Sequence, residues 1–116
     1  MQLHIETTGG VSIVRPLEDV DPANSSQLER TLIEQIDGGV RCIILDLSRV
    51  GYIESSGIGA IVRAYRRMKD ISGEIILSGC NENLMKIFKL INFQRYFRMT
   101  ITLSEALESL AKPVPG

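Results

Sequence analysis

Residues 40–47 (VRCIILDL) are apolar almost throughout. A strand with one wet face alternates apolar and polar residues, so a nearly continuous apolar run belongs to a central strand covered on both faces. Such a strand obliges the rest of the chain to supply two layers of cover and neighbouring strands. Residues 74–78 (EIILS) read as a second buried strand. Between the two, Ile58, Ile61, Val62, Tyr65 and Met68 recur at helical intervals and make one apolar stripe. A strand, a helix and a second strand in that order are the parts of a parallel crossover.

Around this centre, residues 2–6 read as a short first strand, closed by the Gly9-Gly10 turn, and residues 11–17 (VSIVRPL) as a second. Pro16 cannot donate to a ladder and so marks a strand end or an edge. Asp21-Pro22 predicts a helix start, with Leu28, Leu32 and Ile36 on its inner face and Gly38-Gly39 as its stop. The helix that opens at Ser55-Ser56 ends near Ser72-Gly73. Residues 83–91 predict a third helix, and residues 94–101 hold a last short strand. Thr102 with Glu105 three positions on predicts a capping box before a final helix that turns Ala106, Leu107 and Leu110 inward. The order β-β-α-β-α-β-α-β-α predicts an α/β fold, a small mixed and mainly parallel sheet packed against helices that lie mostly on one side. At 116 residues this is one domain, over residues 1–112, with a disordered tail at 113–116.

The candidate chemistry sits where the central strand gives way to the helix, in the stretch Ile53-Glu54-Ser55-Ser56-Gly57-Ile58-Gly59. Ser55 is an N-cap candidate, which puts Ser56 at or near the first helical position, and Gly57 and Gly59 bring backbone close to whatever docks there. A helix start carries unpaired N–H groups and about half a positive charge, so it tolerates an anion, including a phosphate on a serine. A serine pair in this position also serves as an ordinary cap, and spacing alone does not separate the two readings.

Other chemistries lack their parts. A nucleophile elbow needs G-x-S-x-G and a base, whereas the only histidine is His4, in an edge strand. One histidine and two separated cysteines cannot close a zinc site, and Glu18-Asp19-Val20-Asp21 lacks calcium-loop spacing. Gly57-Ile58-Gly59 misses the third glycine of a dinucleotide fingerprint and no phosphate-binding P-loop is present, which leaves open only a weak nucleotide contact at the helix start. A receiver domain would need a carboxylate cluster around an acceptor aspartate, and Asp46 is not followed by one. Arg63, Arg66, Arg67 and Lys69 read as the wet side of a helix, or as a surface that meets an acidic partner. With a net charge of −1 and few aromatics, the chain is not read as a nucleic-acid binder. No apolar run reaches the length of a membrane span and the N-terminus has no signal-peptide pattern, so a cytoplasmic protein is expected. Cys42 and Cys80 read as small buried thiols.

Asp46-Leu47-Ser48, Val50 and Ile53 through Gly59 together resemble the signature of the STAS domain, the anti-sigma factor antagonists of bacteria. Val14-Arg15 through Asp21 is similar to the family's second strand and acidic loop, and residues 104–110 to its closing helix. The resemblance implies a STAS (SpoIIAA-like) fold without an enzymatic activity or a cofactor. It implies that Ser56 is the phosphoacceptor, that Asp21 is the loop aspartate beside it, and that Glu54, Ser55, Gly57 and Ile58 complete a partner-binding surface. The implied partners are an anti-sigma factor serine kinase, which phosphorylates Ser56, and a PP2C-type phosphatase, which resets it. The alternative is a STAS interaction module that works without phosphorylation, bound to a transporter or a stress-signalling complex. Two positions depart from the pattern: Glu54 stands where the family has aspartate, and Glu18 where it commonly has glycine.

Overall fold

The computed structural model describes residues 1–111; the tail expected at 113–116 lies outside the described residues. Five strands form one sheet in sequential order: β1 (Leu3–Thr8), β2 (Val11–Pro16), β3 (Cys42–Asp46), β4 (Glu74–Ser78) and β5 (Arg98–Thr100). The β1–β2 hairpin is antiparallel and every later pairing is parallel. All five residues of β3 are buried, as its unbroken apolar run requires. Pro16 ends β2, where Leu3 of edge strand β1 is its partner and the parallel ladder to β3 has already stopped at Val14.

The connections are α1 (Ser25–Asp37), α2 (Ser55–Asp70) and α3 (Glu82–Leu90), with α4 (Leu103–Ala111) closing the chain. Each parallel strand is laid down beside the last in the same direction. Right-handed crossovers along such a series must all fall on one face of the sheet. Accordingly Ile43, Leu45, Ile75 and Leu77 point to the same core as Leu28 and Leu32 of α1, Ile61 and Met68 of α2, and Phe88 of α3. The final helix is no crossover and is free of that rule. It crosses the opposite face, where Ala106 packs with Cys42, Ile44 and Ile76. The expectation of helices mostly on one side therefore holds for three of the four.

Local differences from the sequence reading have local causes. The Asp21-Pro22 step opens a turn rather than α1 itself. The Asp21 carboxylate accepts from the N–H groups of Ala23 (2.9 Å) and Asn24 (3.2 Å), and the helix begins only at Ser25. The helix α2 stops at Asp70, two residues short of the expected end. The stretch at 94–101 divides into a single 3₁₀ turn, Phe93–Arg95, and the three-residue β5. At α4 the expected box forms: Thr102 Oγ1 accepts from Glu105 N–H (3.1 Å) and the Glu105 carboxylate reaches back to Ile101 N–H (3.2 Å). Leu107, expected inside, is 42% exposed because one helix does not cover the whole face.

Candidate functional site

Parallel strands end together, so the segments leaving β2, β3 and β4 meet at one edge of the sheet, the usual place for a site in such folds. The segment between β3 and α2 is fixed there from two sides. On one side Val20, between β2 and α1, forms an isolated parallel bridge with Ile53. Val20 N–H donates to the Tyr52 carbonyl (3.1 Å), and Glu54 N–H donates to the Val20 carbonyl (2.9 Å). Beside this bridge the Asp19 carboxylate accepts from Gly51 N–H (2.7 Å) and Tyr52 N–H (3.1 Å). On the other side Asn81, the N-cap of α3, accepts from Leu84 N–H (2.8 Å) while its amide donates to the Gly51 carbonyl (3.1 Å). Asp19 and Asn81 were not singled out by sequence reading. Their partners lie about thirty residues away, and only the short polar side chains beside turns hinted at them.

The helix α2 starts one residue earlier than a Ser55 cap implies. Glu54 holds the extended backbone of the N-cap (φ −83°, ψ 168°) and Ser55 is the first helical residue. The Glu54 carbonyl accepts from Gly57 (2.9 Å) and Ile58 (3.2 Å), but no side chain caps the helix. The correction is physical: Glu54 N–H is spent on the bridge to Val20, which sets the extended turn at that residue. An uncapped start leaves first-turn donors available to an anion.

The two serines differ. Ser55 is exposed. Ser56 is half-buried, and its hydroxyl oxygen is covered and without a hydrogen-bond partner among the described residues. Gly57 is buried; a Cβ there would lie 2.6 Å from Val20 Cγ1 and 2.7 Å from Ile53 Cγ2. Its missing side chain lets α2 approach the bridge beneath it. Glu54 and Asp21 are half-buried, and each directly follows a member of the Val20–Ile53 bridge, which brings the two carboxylates to the same edge. Ile58 is half-buried on α2.

Behind the site Asp46 ends β3, with its side chain 4% exposed. Burial opposes its ionisation, but hydrogen bonds from Ser48 and from Arg15 Nε (2.8 Å) outweigh it and hold the carboxyl below its usual range. Ser48 approaches closely because Gly79 takes φ +74°, with Ser48 N only 3.0 Å from where a Cβ would be. Glu18 accepts from Gln2 N–H and the Asn24 amide, which lower its pKa. Burial pushes the Cys42 thiol up to about 12 and that of Cys80 to about 11, so both stay protonated at neutral pH. Among the described residues no group of three or more metal-ligating side chains assembles, and no helix is long and apolar enough to cross a membrane.

The STAS domain model matches residues 2–106. The chain belongs to the STAS domain family. It is 27% identical over 115 residues to a candidate anti-sigma factor antagonist, BtrV, of Bordetella bronchiseptica, with 99% of each chain covered. Among solved structures it resembles a candidate anti-sigma factor antagonist of Thermotoga maritima, with a TM-score of 0.89 at 24% identity and 95% of each chain covered. It also superposes on the anti-sigma factor antagonist SpoIIAA in its unphosphorylated form, with a TM-score of 0.79 at 21% identity, over 97% of this chain and 100% of the other. The phosphorylated form of SpoIIAA, from Bacillus, gives 0.77 at 22% identity, over 94% and 99%. The five-stranded mixed sheet with four helices is thus the SpoIIAA-like fold. Anti-sigma factor antagonists of this family are regulators and not enzymes.

Proposed function

We propose that this STAS protein is a cytoplasmic partner switch: unmodified, it binds an anti-sigma serine kinase and frees a sigma factor. The kinase then transfers the γ-phosphoryl group of ATP to Ser56 Oγ, releasing ADP and the hydroxyl proton, and the complex separates. A PP2C-type phosphatase hydrolyses the phosphoserine and restores binding. The observation that carries this reading is the uncapped start of α2, with Ser56 in its first turn and the carboxylates of Glu54 and Asp21 at the same edge.

The covered oxygen of Ser56 sets a condition. Serine has three staggered χ1 wells, and an unpartnered buried hydroxyl costs about 1–3 kcal/mol, so rotation towards the kinase gives up no hydrogen bond. Once attached, the phosphate brings between about −1.5 and −2 charges to a site already bearing two carboxylates. The helix start offsets part of that repulsion, by about 0.3–1 kcal/mol. In a packed interface the same anion meets repulsion and desolvation of several kcal/mol, enough to dissolve a complex without unfolding its carrier.

Incubation with the cognate kinase and ATP, followed by mass-spectrometric mapping, tests the assignment. Phosphate on Ser56 is expected. Phosphate on exposed Ser55 or on buried Ser78 overturns the acceptor. The covered Ser56 oxygen favours one second reading, a module that holds a transporter or stress-signalling complex without phosphorylation; a complete absence of label would select it.

A further inference from the structure

Five of the six phenylalanines and tyrosines of this chain lie in one continuous array. Phe88 of α3 stacks on Phe93 (centroids 5.0 Å apart), Phe93 meets Phe97 (4.7 Å), Phe97 meets Tyr65 of α2 (5.1 Å), and Tyr65 meets Tyr96 edge-on (5.8 Å). The array begins in the core and ends at the surface, where Tyr96 is 57% exposed. There it opens a groove of about 350 Å³ walled by Val62, Tyr65 and Arg66 on α2 and by Ile91 and Tyr96 on the other side. Phe88, Phe93 and Phe97 are buried and serve the core, whereas half-buried Tyr65 and exposed Tyr96 bring aromatic surface to the groove, the residue type enriched where proteins bind.

The one charged residue that lines the groove is Arg66. On α2, Arg63 and Arg67 turn away to α1, where they pair with Glu29 (2.7 Å) and Asp37 (2.9 Å). Arg66 and Lys69 have no ion-pair partner among the described residues, and neither does Arg95 in the 3₁₀ turn. Lys69 Nζ lies 6.0 Å from the Tyr65 ring centroid. No carboxylate lines the groove; Asp70, one helical turn beyond Arg66, is not within ion-pair distance of it.

We infer that this groove is a second docking surface, and that its occupant is an acidic segment of a partner protein that seats apolar side chains on Tyr65 and Tyr96 while its carboxylates meet Arg66, Lys69 and Arg95. Aromatic walls supply the anchor and the unpaired cations supply selection and steering. None of the residues that line the groove is Asp21 or lies between Glu54 and Ile58, so binding there is expected whether or not Ser56 is modified.

The test is an amide NMR titration of the full chain with a synthetic peptide carrying leucine and phenylalanine at helical spacing among glutamates. Its counterpart has lysine at every glutamate. The acidic peptide is expected to shift Val62, Tyr65, Arg66 and Tyr96, with affinity falling as salt is raised. Arg66→Glu, at an exposed position, should weaken it about tenfold or more with unchanged circular dichroism, and Ser56→Ala should leave it unaltered. Equal binding of the basic peptide, shifts elsewhere, an Arg66→Glu protein that binds normally, or a dimer that buries Tyr96 would each overturn the proposal. A Ser56→Ala protein that loses peptide binding would do so too, whereas failure of phosphorylation would leave it standing.

Discussion

Gly57 has no room for a side chain. A methyl group there would drive into Val20 and Ile53, two buried β-branched residues with little freedom to move. Gly57→Ala is expected to cost about 1–3 kcal/mol, read as a lower urea midpoint, because overpacking a filled interface displaces its neighbours. Asp46 makes a different prediction, in pH. Its folded pKa lies below the unfolded value near 3.9, so its contribution is complete above that value and is lost as pH falls through the folded pKa. Asp46→Asn should therefore destabilise the protein at pH 7, by on the order of 1–3 kcal/mol, and the gap to the parent should narrow below about pH 4. Urea unfolding of both proteins across that range measures it; a gap that stayed constant would mean that Arg15 and Ser48 do not sense the charge.

At the scale of elements, the segment from Ser48 to Glu54 is held less by its own turn chemistry than by neighbours. Asp19 satisfies two of its N–H groups and the Asn81 amide donates to two of its carbonyls, those of Val50 and Gly51. Asp19→Ala leaves Gly51 and Tyr52 N–H to water and should raise their hydrogen-exchange rates, at a cost of about 0.5–1.5 kcal/mol because both N–H groups are exposed. Asp19→Asn retains an acceptor oxygen and should recover part of the protection. The same contacts explain what the sequence left unread. Periodicity and turn residues are local signals, so they located α2 and its serines but placed the cap on Ser55. The bridge that makes Glu54 the cap joins residues more than thirty positions apart, and no spacing rule reports it. Likewise the glycines near Ser56 read as room for a partner, but not as the room that Gly57 makes for Val20.

At the scale of the whole molecule, the element order, the mainly parallel sheet and a layer of helices mostly on one side were legible because an unbroken apolar strand between helices leaves few arrangements open. The position of α4 was not, since the handedness that governs crossovers says nothing about a terminal helix. In the proposed switch the serine-bearing edge is built on strands buried in the core, so a charge added at Ser56 is expected to act on what docks and not on what supports it. Binding of the cognate anti-sigma kinase to parent and Ser56→Asp proteins, by calorimetry alongside far-UV circular dichroism, tests that claim most directly. The account predicts affinity lower by about a hundredfold or more, from several kcal/mol of repulsion and desolvation, with an unchanged spectrum. Equal affinity, or weakening accompanied by loss of helix signal, would contradict it.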